Sequence, residues 1–248
     1  MARNYIVIDT ETAPLVKHDD GAAHPETSLV YDIGWMVVDG NSGTILEERS
    51  YLNTDVIFQE KLMNSAYYAN KVPHYWEGIH VAENDAKWRL DNFLTIYKQF
   101  CADVREYHVK DVWAYNVRFD QIVLNHTTEY LSNGFRRFFL PYMVKSTKTR
   151  WRDIWDYASC ITGTPAYVRW AQEHGFVSAK GNPSTSAEIV YRYLTNNPEY
   201  EEEHTALEDA RIECEILKAA KKRHKKTRHS SGQGWRDAAK TMRTMTEE

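Results

Sequence analysis

The chain has 248 residues, 42% of them hydrophobic and 27% charged, with a formal net charge of −4, which is ordinary for a globular protein able to bury a sizeable core. It has no run of about 18 apolar residues and no basic segment leading into an apolar stretch with a small-residue cleavage site, so neither a membrane span nor secretion is expected. Cys101, Cys160 and Cys214 are far apart and odd in number; they imply neither a disulfide framework nor a structural zinc site, and a reducing cytoplasm is the expected compartment.

Tyr5–Asp9 (YIVID) reads as a buried strand, and the polar stretch Ala13–Ser28 as a loop. Ile33–Val38 and Ile45–Leu52 read as two more strands, joined by the turn Asp39-Gly40-Asn41-Ser42-Gly43 as a hairpin. Ala82–Val104 is predicted helical from Trp88, Leu90, Phe93, Leu94, Ile96, Tyr97 and Phe100 at mixed helical spacing. A fourth strand at Val112–Tyr115 precedes a helix over Phe119–Leu131, and a fifth strand, Arg152–Trp155, precedes a short helix. Ser184-Thr185-Ser186 caps a predicted helix that Asn196-Asn197-Pro198 stops. The last long helix is expected from near His204 to about Lys226, on the stripe Leu207, Ala210, Cys214, Leu217 and Ala220, with a brief helix in WRDAAKTMRTM beyond. Three early strands followed by alternating helices and strands imply an α/β fold: one mixed sheet of about five strands, the first three antiparallel, flanked by helices.

Charge is unevenly spread. From Lys218 onward there are ten Lys/Arg against three Asp/Glu, leaving 21 basic and 32 acidic residues in the first 217 positions. The expected organisation is a domain over 1–217 and a basic helix end and tail over 218–248. An acidic body that handles polyanions needs bound cations or a basic tail.

Three short motifs carry the chemistry. Asp9-Thr10-Glu11 ends the first strand, and side chains two apart on a strand share a face, so Asp9 and Glu11 point at one spot. Two carboxylates held together repel unless cations neutralise them; a solvated strand end would explain the pair equally well in isolation. In Asn116-Val117-Arg118-Phe119-Asp120 a strand delivers Asp120 into the first turn of a helix, where an acid is favourable for electrostatic reasons alone. In His204-Thr205-Ala206-Leu207-Glu208-Asp209 a five-residue step along an ideal helix leaves His204 and Asp209 roughly 140° apart, so they converge only if His204 lies at or before the helix start. Glu201-Glu202-Glu203 fits an acidic approach to a helix N-terminus.

In order, spacing and context the three motifs together resemble the DEDDh exonucleases, the DnaQ-like group with a ribonuclease H-like fold, over about Tyr5 to Leu217. The resemblance implies a metal-dependent 3′→5′ exonuclease releasing nucleoside 5′-monophosphates. It implies that Asp9, Glu11, Asp120 and Asp209 hold two divalent ions, Mg²⁺ or Mn²⁺, one activating water and the other stabilising the leaving 3′ oxygen, with His204 taking the proton. Oxygen ligands for hard cations agree with the lack of Cys/His clusters. The sequence departs from the family at Thr12-Ala13-Pro14, where a Thr-Gly pair is common beside the terminal nucleotide.

The expected substrate is single-stranded nucleic acid or a 3′ end, DNA favoured over RNA; an exoribonuclease and a non-catalytic nucleic-acid-binding or proofreading accessory subunit are the alternatives. Any polymerase or replication and repair partner would be a separate chain. Candidate nucleic-acid contacts are Thr12, Asn116, Arg136, Arg137, Lys221, Lys222 and Arg223. Tyr67, Tyr68, Tyr75 and Trp76, interleaved with Lys71 and His74, fit either base stacking or a core role. Asp153 and Asp156 are read as structural.

Overall fold

The alternation of side chains along the first strand, β1 (Tyr5–Pro14), divides the core in two. Ile6 and Ile8 face one apolar cluster, and Tyr5 and Val7 face another on the opposite side of the sheet. In this computed structural model, which describes residues 4–16, 23–66, 71–80, 87–132, 137–138, 149–223 and 234–246, β1 is followed by β2 (Ser28–Val38) and β3 (Ile45–Asn53). Short helices α1 (Thr54–Ile57), α2 (Glu60–Met63) and α3 (Val72–His80) lead to β4 (Arg89–Asp91) and α4 (Phe93–Glu106). Then come β5 (Asp111–Ala114), α5 (Val117–Leu131), β6 (Arg150–Asp153), α6 (Ile154–Tyr157), α7 (Ser159–Thr162), α8 (Pro165–Glu173), α9 (Ala187–Thr195), α10 (Ala206–Arg223) and α11 (Gly234–Thr246).

The six strands lie in the order β4-β3-β2-β1-β5-β6. β1, β2 and β3 are antiparallel; β5 runs parallel to β1, β6 parallel to β5, and β4 parallel to β3. Helices α4 and α5 cover the face of Ile6 and Ile8, with Ile96, Phe100, Val123 and Leu124 buried there. The other face is covered by α6 to α10, with Ile154, Ile161, Tyr167, Val190, Cys214 and Leu217. The turn between β2 and β3 is the expected hairpin; Gly43 sits at φ 74°, and Asp39 Oδ1 accepts from the backbone N–H groups of Asn41 and Ser42.

Three expectations need correction. The first strand does not stop at Asp9: Thr12, Ala13 and Pro14 pair with Val30, Leu29 and Ser28, after a bulge between Glu11 and Thr12. Pro14 is tolerated because it ends the strand, where a missing N–H breaks no further ladder. The helix predicted over Ala82–Val104 starts only at Phe93. Asn92 stops extended chain and caps the helix by accepting from Thr95 N at 2.9 Å, while Leu90, which contributed to the apparent helical stripe, lies in β4. Residues 82–86 lie outside those described. β4 makes the sheet six-stranded rather than five, and α1, α2, α3 and α8 had no clear periodic signal, all being shorter than three turns.

α10 crosses β2 at Gly34. A Cβ there would lie 2.3 Å from Leu207 N and 2.5 Å from Leu207 Cα, so only glycine lets the first turn of α10 rest directly on the sheet. Gly34 pairs with Asp9 in the β1–β2 register, and the crossing therefore sets how far α10 stands from β1. Because backbone cannot swing aside as a side chain can, Gly34→Ala should cost at least about 1–3 kcal/mol. Thermal denaturation should show a melting temperature lower by several degrees; a value within about 1 °C of the parent would contradict this reading of the crossing.

Candidate metal and active site

The face of β1 that carries Tyr5 and Val7 continues to Asp9 and Glu11, and this is the face on which α10 lies. The parity argument thus puts both carboxylates beneath the start of α10. Asp120 comes from the other side. It sits in the first turn of α5, is buried, and accepts a hydrogen bond from Thr10 Oγ1 at 2.9 Å; Thr10 is the β1 residue whose side chain points to the α5 face. The turn into α5 is held by Asn116, in the left-handed region at φ 59°, whose backbone N–H donates to Asp153 Oδ1 at 3.2 Å. Asp153 also caps α6 by accepting from Trp155 N at 2.9 Å, so its role is structural.

His204 lies two residues before α10, at φ 51°, a conformation uncommon for a side chain of this size. Asp32 holds this junction. It is fully buried, and its Oδ2 accepts from Ala206 N at 3.1 Å and from the Tyr75 hydroxyl at 3.0 Å; the same hydroxyl is 3.3 Å from His204 O. A carboxylate at the N-terminus of an 18-residue helix is favoured by the helix dipole as well as by the hydrogen bond.

With the junction held so, Glu11, His204 and Asp209 each offer a ligand atom, all within 4.8 Å of one another. Asp9 and Asp120 complete the acidic group, since burial and then Glu213, Asp120, Asp209 and Glu11 push the Asp9 carboxyl well above the usual carboxylate range. Burial, then Asp209 and Asp32, does the same to Glu11. Burial pushes Asp120 up to about 7, with Thr10 opposing, and burial with Glu202 pushes Asp209 up to about 8, with Lys71 opposing. Asp209 Oδ1 is buried without a hydrogen-bond partner. An acceptor oxygen in that state, among carboxylates too crowded to ionise together and beside an imidazole, fits a divalent cation.

No protein-family model and no curated protein sequence matches the chain. Solved structures do match in shape. A zinc-ion-bound complex of E. coli exonuclease I with ssDNA superposes with a TM-score of 0.52 at 16% identity, covering 90% of this chain and 41% of the other. The nuclease domain of 3′hExo, a DEDDh family member bound to rAMP, gives 0.55 at 11% identity, covering 89% and 91%. A 3′-exonuclease recognising the histone mRNA stem-loop gives 0.55 at 11% identity, covering 89% and 64%. The chain spans about two fifths of the exonuclease I chain. The fold is ribonuclease H-like.

Around this ribonuclease H-like sheet stand Glu213, Asp32 and Gly34, which the sequence reading passed over, and Lys71, which it read only beside possible stacking aromatics. Glu213 is buried one turn beyond Asp209 on α10 and accepts from Tyr115 N at 3.2 Å, tying the end of β5 to the helix; burial, then Asp120 and Asp209, pushes its carboxyl well up. Its signal was a glutamate at i+4 from Asp209, beside the apolar stripe. Asp32 was legible as one charge inside the apolar run Leu29–Val38, and Gly34 as a glycine within that strand. Lys71, half-buried just before α3, carries the positive charge felt by Glu11, Asp209 and Glu202, and is itself pulled down by burial.

The candidate nucleic-acid contacts are scattered. Thr12 lies in β1 next to Glu11, past the bulge. Arg137 is exposed, whereas Phe138 is buried in the core; Arg136, Tyr67 and Tyr68 lie outside the described residues. Tyr75 is fully buried and so cannot stack a base, and Trp76 packs against Phe58. Lys221 packs its ammonium 3.3 Å from the Tyr5 ring centroid, at the opposite end of β1 from Glu11, and burial lowers it to about 8. Lys222 and Arg223 are exposed but roughly 20 Å along α10 from Asp209. The helix runs through residue 217 without a break, and α11 buries Ala238 and Ala239 while Thr241 Oγ1 donates to Gly163 O at 2.7 Å.

A carboxylate raised by folding stabilises the protein fully below its unfolded pKa of about 4 and loses that contribution as pH rises through its folded value. With Asp120 and Glu202 pushed to about 7 and Asp209 to about 8, the metal-free protein should lose stability steadily from about pH 4 to 8. Saturating Mg²⁺ or Mn²⁺ should flatten the decline. Melting temperatures across this range in chelator and in excess metal would check it, and parallel curves would contradict cation binding at the cluster.

Proposed function

We propose that this chain is a divalent-cation-dependent 3′→5′ exonuclease acting on the 3′ ends of single-stranded nucleic acid. The observation that carries the reading is the convergence of Glu11, Asp209 and His204 within 4.8 Å, with Asp9 and Asp120 beside them, on a ribonuclease H-like sheet. Asp9, Glu11, Asp120 and Asp209 would hold Mg²⁺ or Mn²⁺, two ions by the family pattern, and bound cations supply Lewis acidity against the charge that develops on a phosphodiester under attack. His204 takes the proton from the attacking water, a role suited to imidazole near neutral pH. Asp32 and Tyr75 hold the backbone that follows that ring, and Thr10 orients Asp120. Nucleoside 5′-monophosphates are the expected products. Thr12, which directly follows Glu11, and the backbone after it are the proposed neighbours of the terminal nucleotide.

The test is degradation of 5′-labelled single-stranded DNA, duplex DNA and RNA with and without Mg²⁺ or Mn²⁺. Stepwise shortening from the 3′ end, abolished by chelator, is expected; release of label from the 5′ end first, or no metal dependence, would refute the reading. The RNA arm decides between a deoxyribonuclease and an exoribonuclease.

Asp9→Asn should reduce activity by about 10²–10³-fold or more, the scale on which a removed charge-stabilising group acts. Its effect on folding should have the opposite sign. Removing one of several crowded buried charges should raise the metal-free melting temperature at pH 8, by about 2–4 °C for each kcal/mol of repulsion relieved. Retained activity would remove Asp9 from the site.

A further inference from the structure

The glutamates of α10 differ in what they face. Glu208 pairs with Arg211, and Glu215 pairs with Lys218. Glu213 is 3% exposed and has no ion-pair partner among the described residues. Positions four apart on a helix share a face, so Glu213 follows Asp209 by one turn on the same side of α10. Its Oε2 accepts from Tyr115 N at 3.2 Å. Tyr115 directly follows β5, and Asn116 after it makes the left-handed turn into α5, the helix that carries Asp120. One hydrogen bond thus joins the helix bearing Asp209 to the junction that leads to Asp120.

An amide asks for an acceptor, not for a charge. A glutamine at position 213 would satisfy Tyr115 N and add no repulsion. The carboxylate is costly where it stands. Burial, then Asp120 and Asp209, pushes it up, and after burial Glu213 comes first among the charges that push up Asp9. A buried carboxylate with no positive partner weighs against the fold unless a cation binds close by. Glu213 does not belong to the group of Glu11, His204 and Asp209, whose ligand atoms lie within 4.8 Å of one another. We propose that Glu213 is a positioning residue of the cation site whose charge, beyond its hydrogen bond, strengthens cation binding. It acts through Asp9 and Asp120 rather than as a ligand. This rests on the reading that the acidic group holds divalent cations, and it requires no particular substrate.

The experiment is titration of the full-length protein with Mn²⁺, the free ion being followed by its electron paramagnetic resonance signal. Glu213→Gln keeps the acceptor and removes the charge; it should weaken Mn²⁺ binding about 10-fold, as loss of an outer partner of a metal site does. Without metal it should melt no lower than the parent. Glu215→Gln removes a charge from the same helix away from the site and should leave Mn²⁺ affinity unchanged. Glu213→Asp keeps the charge and gives up the reach to Tyr115. It should bind Mn²⁺ more tightly than Glu213→Gln, and closer to the parent, which decides the matter should the glutamine variant fold poorly. In the degradation assay, the Mg²⁺ concentration for half-maximal rate should rise in Glu213→Gln by the same factor as the Mn²⁺ dissociation constant.

Mn²⁺ affinity in Glu213→Gln within about twofold of the parent would overturn the proposal, since the hydrogen bond alone would then explain the residue. So would an equal loss in Glu215→Gln, or a lower metal-free melting temperature in Glu213→Gln, which would show that the fold itself needs the charge. If the parent binds Mn²⁺ but degrades no nucleic acid, the exonuclease reading falls, and the Mn²⁺ titrations still decide the role of Glu213. A parent that binds no Mn²⁺ would end both.

Discussion

Repulsion among buried carboxylates is the constraint around which this molecule is organised. Asp9, Glu11, Asp120, Asp209 and Glu213 come from β1, α5 and α10, and each is pushed up by burial, most of them also by one another. Left to themselves they would drive these elements apart. The sheet register, the Gly34 crossing and the Asp32 anchor hold them together. The apolar clusters on the two faces of the sheet supply the free energy, and the acidic group spends part of it, as functional sites commonly do.

The anchors are distributed so that each carboxylate is held by something other than its neighbours in the cluster. Asp9 and Glu11 are held by the β1–β2 ladder, Asp120 by Thr10, and Glu213 by the Tyr115 amide. Asp209 follows from the placement of α10, whose start is set by Asp32 and by the absence of a side chain at position 34. This leaves Asp209 Oδ1 without a hydrogen-bond partner, as is Oδ1 of Asp32. Negative charge is thus gathered at one place by contacts made elsewhere, an arrangement that a bound cation would relieve.

Much of this was legible along the chain because strand and helix periodicities convert spacing into direction. The two-residue step from Asp9 to Glu11 put both acids on one face, and the five-residue step from His204 to Asp209 required the histidine to precede its helix, which begins at Ala206. Glu202 and Glu213 were missed for opposite reasons. Glu202 sat in a run of three glutamates whose composition fits a solvated helix approach, and nothing local distinguishes the one that turns inward. Glu213 sat beside an apolar stripe and was overlooked in favour of the motif next to it. Within the basic cluster, Lys221 is drawn onto Tyr5 at the far end of β1, where a lysine stem and an aromatic face bury together.

Periodicity and short motifs, which are local properties, were enough for the order of the main strands and helices, the mixed sheet and the set of acids able to meet. Distances between elements were not, because they depend on contacts far apart in the chain. Gly34 meets Leu207 across more than 170 residues, and Asp32 meets Ala206 across 174. Only the packed structure decided that α10 lies close enough to β1 for Glu11, Asp209 and His204 to share one pocket, that a sixth short strand joins the edge, and that one glutamate of three stands beside the histidine ring. Each of those outcomes turns on steric clearance and burial, which exist only once the chain has closed on itself.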